Sequence, residues 1–377
     1  MKIAIVKLSA LGDIVHAMVA LQFIKAQHPD AQIDWVVEQR FAELLNHQPD
    51  IDNVLTVDLR ALKADKTGIL KEIKRLRRYA SKHYDLVIDA QGLLKSSITA
   101  RLLGKRVSGF DANSIRERAA SWFYTVKIAF PYDANTIDRN ATVLTQPLGF
   151  HISREQILEK KPFLFFRDED ERVQLYLHRN QKNIVLVIGS TWESRNYPIE
   201  KFVNIANALQ QNCLVVWGNE EEKKKAEWMC DQSEWVQIMP KLDLNDLKAL
   251  IARADLVIGN DTGPTHMAWG LNRPSITIFG PTPLSRVYQT DINKTVKSAS
   301  IVNPHKLDKQ DYSIRDIDEQ EIIDIANILL TSKLEDPLIV NAAKSDKQMF
   351  STWDISDEYL DEITNSLTDI DTEDFFR

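Results

Sequence analysis

The sequence predicts an α/β protein of two domains, each a parallel sheet covered by helices, facing one another across a cleft and followed by an acidic extension. Three observations predict it. Short apolar runs alternate with stretches of helical spacing, the pattern of strands joined by crossover helices. The series fades after Pro131 and restarts at Asn183, without a low-complexity linker between the two halves. In the second half, three successive runs end in glycine followed by polar residues. Those residues then share one edge of a sheet, where open α/β sheets bind ligands.

Taken in order, Ile3–Val6 is a run of buried-strand type that Lys7 ends. Ser9-Ala10-Leu11-Gly12-Asp13 is a turn, and helical spacing follows at Ile14, Met18, Leu21 and Ile24. The next strands are Ile33–Val37, Val54–Val57 and Leu86–Asp89, with a very basic helix, Ile69–Ala80, between the last two. Glu169–Arg179 reads as a polar connecting helix. The second series runs through Ile184–Ile188, Leu214–Trp217, Leu256–Ile258 and Ser275–Phe279. The expected division is 1–165, a connector at 166–182, 183–333, and an extension at 334–377.

At 377 residues and 44% hydrophobic content, the chain has material for two cores. Two cysteines, Cys213 and Cys230, provide neither a disulfide framework nor a metal-ligand spacing, which points to a reducing compartment. Lys7 and Asp13 interrupt the apolar N-terminus, so it does not read as a signal peptide, and no run approaches the ~18 apolar residues of a spanning helix. A cytoplasmic protein is expected. The net charge of −7 hides an asymmetry: Arg60 to Lys127 carries 16 basic and 6 acidic residues, Leu334 to Arg377 carries 3 and 12. The basic region suits a phosphate-rich partner. Within the extension, Leu360, Ile363, Leu367 and Ile370 have the spacing of a short amphipathic helix.

The most informative stretch is Leu256–Thr282, a strand, a polar turn, a helix and a second strand. Gly259 and Gly263 permit tight backbone paths, Asp261 or Thr262 can cap the helix, and Pro264 suits its first turn. A helix N-terminus beyond a parallel strand favours anions, because its free N–H groups and its dipole act together. Ser190, Thr191 and Arg195 follow a neighbouring strand and add hydroxyls and a planar cation, a set that suits a diphosphate. Glu220 to Glu222 could accept ribose hydroxyls. With Lys223 to Lys225 behind them, they equally fit the acidic first turn of an exposed helix.

Four motifs in order then resemble one family, the bacterial lipopolysaccharide heptosyltransferases, nearest its type I members, over roughly Met1 to Ser332. They are Ser9-Ala10-Leu11-Gly12-Asp13-Ile14-Val15-His16, Asp34-Trp35-Val36-Val37-Glu38, Asp89-Ala90-Gln91-Gly92-Leu93-Leu94-Lys95-Ser96, and Gly259-Asn260-Asp261-Thr262-Gly263-Pro264-Thr265-His266. The resemblance implies an inverting glycosyltransferase of GT-B architecture, with two Rossmann-like domains. It implies ADP-heptose as donor, no metal or other cofactor, and Asp13 as general base. An unperturbed aspartate, pKa about 3.9, is ionised but weakly basic and must gain from placement. Asp13 also reads as an N-cap of its helix, a role compatible with the first. Ser190, Thr191, Arg195, Asp261, Thr262, Gly263 and His266 match the donor site. Glu220 is the nearest match to the ribose-binding acid, in a register that its acidic neighbours leave open.

The implied acceptor is Kdo on lipid A, met by Ser9, Gly12, Arg60, Lys63, Gln91 and Arg116 in peripheral contact with the inner membrane. No nucleic acid is among the implied partners. The chain departs from the family pattern in carrying Arg195 for the common Lys, Ser190-Thr191 for Thr-Thr, and Met18-Val19-Ala20-Leu21 where a proline is usual. Two other readings stay open: a type II member adding the second heptose, and a non-catalytic relative binding lipid or protein through its basic face. A nucleotide-dependent dehydrogenase is disfavoured, since Lys7-Leu8-Ser9-Ala10-Leu11-Gly12 replaces G-x-G-x-x-G after the first strand.

Overall fold

A computed structural model describes residues 1–59 and 68–331. The basic positions Arg60 and Lys63, and the expected extension with its amphipathic helix, lie outside the described residues.

Among the described residues, twelve strands form two parallel six-stranded sheets. The first holds β1 (Lys2–Val6), β2 (Gln32–Glu38), β3 (Asn53–Val57), β4 (Leu86–Asp89), β5 (Val107–Phe110) and β6 (Val126–Ile128), in the order β3-β2-β1-β4-β5-β6. The second holds β7 (Asn183–Val187), β8 (Asn212–Val216), β9 (Val236–Ile238), β10 (Leu256–Asn260), β11 (Ser275–Phe279) and β12 (Asn293–Lys297), in the order β12-β11-β10-β7-β8-β9. Counted within each half, the connectivity is the same. The strand order reverses between β1 and β4 in one sheet and between β7 and β10 in the other, and such reversals open a crevice at the carboxyl ends of the strands. Ile3 to Val6 and Leu256 to Ile258 are fully buried because helices cover both faces, which explains their unbroken apolar character.

Four strands escaped the sequence reading, and their compositions show why. β5 contains Gly109, β6 and β9 are three residues long, and β12 is Asn-Lys-Thr-Val-Lys on a sheet edge. Expected helices needed correction in two places. The first is broken at Val19 into Leu11–Met18 and Ala20–Gln27. The connecting helix over Glu169–Arg179 shrinks to Arg172–Leu175, since Asp168 takes a positive φ and the Asp170 carboxylate accepts from Arg172 N–H, closing a turn instead of extending the helix.

Two of the motifs are built around aspartates that tie the structure together. Asp34 in β2 accepts from Asn53, Lys82 and Tyr84 and so ties three elements together. Asp89, at the end of β4, accepts from the N–H groups of Gln91 and Gly92 and from the hydroxyls of Ser96 and Tyr124. That fixes the loop carrying Gln91, whose side-chain oxygen takes the N–H groups of Leu8 and Ser9, each at 3.1 Å. The two loops at the first sheet's reversal are thereby joined.

Candidate active site

The helices that leave the two reversals pack side by side with their N-termini together, Gly12 against Gly263 and His266, and His16 against His266 and Trp269. Leu11–Met18 follows β1, Gly263–Gly270 follows β10, and glycine lies where they touch. A Cβ on Gly12 would stand 2.6 Å from His266 Cδ2, and one on Gly263 would stand 2.5 Å from the Leu11 side chain. Either addition would force the helix ends apart. Two helix N-termini therefore converge, and both favour negative charge.

Each end carries an aspartate. Asp13 occupies the third position of its helix, behind Ala10 at the N-cap; its Oδ2 accepts from Ala10 N–H at 3.4 Å. Its side chain is 28% exposed and lines a cavity of about 540 Å³. Asp261 precedes the second helix and is 2% exposed. Its Oδ1 meets His266 Nε2 at 2.9 Å, and its Oδ2 accepts from Arg195 Nη2 and Thr282 Oγ1, each at 2.8 Å. Arg195 also donates to the Asp261 carbonyl. Burial alone would raise the carboxyl pKa, but Arg286, His266 and Arg195 outweigh it and hold Asp261 far below the usual carboxylate range. The sequence offered Asp261 or Thr262 as the helix cap. Thr262 takes the N-cap position, yet its side chain makes no capping bond, and Asp261 faces the two arginines instead.

Behind these groups His16 is buried, its ring 4.6 Å from that of His266. Burial, helped by His266, keeps its imidazole well below the ordinary histidine range, so it packs as a neutral ring.

Asp13, Gln91 and Arg116 lie on the wall of the one cavity, while Ser9 and Gly12 belong to the loop that Gln91 fastens. Arg116 is 67% exposed and pairs with Glu117 at 3.4 Å. Ser190 and Thr191 follow β7, which pairs directly with β10, so they share the sheet edge with Asp261 and Thr262; the Ser190 hydroxyl donates to Trp192 O at 2.9 Å. Glu220 is different: it lies exposed at the start of helix Glu220–Gln232. Two residues on, Glu222 turns back and accepts from Gly218 N–H at 2.7 Å, and its carboxylate lies so close over Gly189 that a Cβ there would stand 2.1 Å from Oε1. Glu222 is thus the acid at the strand ends.

Sequence reasoning also missed Arg286, which bridges the two aspartates, 3.5 Å from Asp13 Oδ1 and 3.5 Å from Asp261 Oδ2. A signal existed, since Arg286 lies in the polar loop just beyond the informative stretch Leu256–Thr282. His305 and Lys309, from a loop beyond β12, complete the cavity wall. Among the described residues, no group of three or more His, Cys, Asp or Glu is placed to hold a metal, and no helix is long and apolar enough to cross a membrane.

The Glycosyltransferase family 9 (heptosyltransferase) profile matches residues 69–313. Lipopolysaccharide heptosyltransferase 1 of Campylobacter coli is 35% identical over 346 residues, covering 87% of this chain and 99% of its own length. Its Pseudomonas aeruginosa namesake is 30% identical, covering 75% of this chain and 79% of its own. The solved structure of E. coli heptosyltransferase WaaC with ADP superposes with TM-score 0.67 at 25% identity, covering 88% of this chain and 100% of that one. E. coli ADP-heptose lps heptosyltransferase II, at 17% identity and TM-score 0.68, covering 88% and 98%, shares the fold. A chain matched by that profile over most of its length, and by such relatives nearly end to end, belongs to glycosyltransferase family 9, the heptosyltransferases.

Proposed function

We propose that the chain transfers heptose from ADP-heptose to the Kdo residue of Kdo-lipid A in lipopolysaccharide inner-core synthesis, with inversion and without a metal. The architecture is GT-B: residues 1–165 hold the acceptor, 183–333 hold the donor, and 166–182 connect them. The observation that carries this reading is that the helix start bearing Asp13, a residue of the cavity wall, packs through Leu11 and Gly12 against the helix start at Gly263. The donor diphosphate lies against that helix end, approached by Ser190, Thr191 and Arg195 from the adjacent strand, with Glu222 taking ribose hydroxyls in place of Glu220. His266 holds Asp261, and through it the loop that presents those N–H groups. Asp13 removes the acceptor hydroxyl proton as that oxygen attacks the anomeric carbon, and ADP departs towards the helix end.

On the acceptor side, Ser9, Gly12, Gln91 and Arg116 stand nearest the Kdo, and Arg60 and Lys63 belong to the same basic segment of the chain. The enzyme works in the cytoplasm, peripherally at the inner membrane. The test offers ADP-heptose with Kdo-lipid A, or with the singly heptosylated product, and weighs the glycolipid by mass spectrometry with and without EDTA. Transfer to Kdo-lipid A, indifferent to EDTA, is expected. Transfer only to the heptosylated lipid would make this a type II enzyme. Failure in EDTA that magnesium repairs would end the metal-free reading, and ADP binding without any transfer would mark a non-catalytic relative.

A further inference from the structure

Arg286 enters the site from a loop that fastens the donor sheet to the acceptor side. Just after it, Val287 O accepts from Asn135 Nδ2 at 2.9 Å, and the Tyr288 hydroxyl donates to Asp138. Its guanidinium is therefore held between two carboxylates, on the wall of the cavity. Neither contact is a good hydrogen bond, since both are 3.5 Å long. Its Nε is buried without a hydrogen-bond partner among the described residues. A buried donor left unsatisfied is costly and therefore informative. Arg195, the other cation here, also has a buried Nε without a hydrogen-bond partner, but its Nη2 is committed to the carboxylate and carbonyl of Asp261, whereas Arg286 makes no hydrogen bond of that quality among the described residues.

We propose that Arg286 is a catalytic residue, the cation that receives the departing diphosphate. The inference rests on the proposed donor. As the acceptor oxygen bonds to the anomeric carbon, the bond from that carbon to the phosphate oxygen breaks. The electron pair stays on the phosphate, ADP gains one negative charge, and the acceptor proton passes to Asp13. That charge appears between two carboxylates, which would repel it. A planar cation already spanning both cancels the repulsion, and because both of its contacts are 3.5 Å long its N–H groups can turn to the new oxyanion. Arg286 binds more tightly as charge develops, so it acts on turnover more than on ground-state binding.

The experiment compares R286K and R286Q with the wild type in ADP binding by calorimetry and in transfer kinetics with both substrates varied. R286Q is expected to lower kcat by about 10²- to 10³-fold and leave the acceptor KM within about threefold. R286K retains the charge between the aspartates and protects the fold, but lacks the fork; a kcat lower by about tenfold is expected. Either variant keeping kcat within about threefold of wild type would overturn the proposal. A raised acceptor KM at unchanged kcat would also overturn it, assigning the guanidinium to a carboxylate of the acceptor. Wild-type protein that fails to bind ADP would defeat the donor reading instead, and an active D13N would defeat the base while leaving Arg286 its effect.

Discussion

Asp13 and Asp261 each follow a strand at the reversal of strand order, Asp13 in the first turn of the helix after β1 and Asp261 just before the helix after β10. Their surroundings are opposite. Asp13 is 28% exposed, has one long contact with a backbone N–H and one with Arg286, and faces the cavity. Asp261 is 2% exposed and is met by His266, Arg195, Thr282 and Arg286. The difference teaches how two helix starts at one crevice yield two functions. A carboxylate that must exchange a proton with a ligand has to stay accessible and lightly bonded. One that fixes a helix end against a charged ligand has to be satisfied by the protein itself, at the cost of any reactivity.

The sharpest test of that contrast is Asp13→Asn, which keeps the size and removes the proton acceptor. Transfer is expected to fall by about 10²- to 10⁴-fold, measured as kcat at saturating substrates. Stability should move by less than about 1 kcal/mol, because the ion pair lost is long and partly exposed. Retention of about a third of wild-type turnover would make Asp13 as structural as Asp261, and the contrast would collapse.

Asp261→Asn should do the reverse, failing first in stability. Removing the charge strands Arg195 beside a buried carbonyl, and breaking a buried pair costs about 3–5 kcal/mol, read from denaturant midpoints. A pH series adds a second reading. The folded-state pKa of Asp261 lies below the unfolded value of about 3.9, so its contribution is complete above that pH and is lost as pH falls towards the folded value. The stability gap between wild type and D261N should thus be flat from neutrality down to about pH 4 and narrow below it. A gap that already narrows near neutrality would contradict the four-partner arrangement.

The legibility of this molecule follows the same division. Buried strands and the turns at the reversals show in sequence, because burial on both faces demands unbroken apolar runs and close approach demands Gly12 and Gly263. The edge strands β6, β9 and β12 did not show, since β12 can be Lys-rich and β6 and β9 three residues long without harm to the core. Asp13 and Asp261 stood out within motifs, but only tertiary structure could say which would be satisfied. Thr282 and Arg286 lie 21 and 25 residues from Asp261, and no local spacing connects them.

Glu220 and Glu222 repeat the contrast on a smaller scale within one helical turn. Helical geometry turns residues two positions apart towards different sides, so only one of the pair can face the sheet edge. Glu220 faces solvent, whereas Glu222 is half-buried, accepts from Gly218 N–H and lies over Gly189. The absence of a side chain at Gly189 makes room for that carboxylate, which places it beside the loop bearing Ser190 and Thr191. A carboxylate there can accept ribose hydroxyls, and a charged hydrogen bond of this kind is worth about tenfold or more in affinity. Glu222→Gln should therefore weaken ADP binding by about tenfold, measured by calorimetry, while Glu220→Gln leaves it within about twofold. Gly189→Ala provides an independent check, because its methyl would displace the Glu222 carboxylate and should reproduce the loss with both acids intact. Equal effects at positions 220 and 222 would mean that the first turn acts only as a diffuse acidic patch, and the separation of exposed from engaged carboxylates would fail at this site.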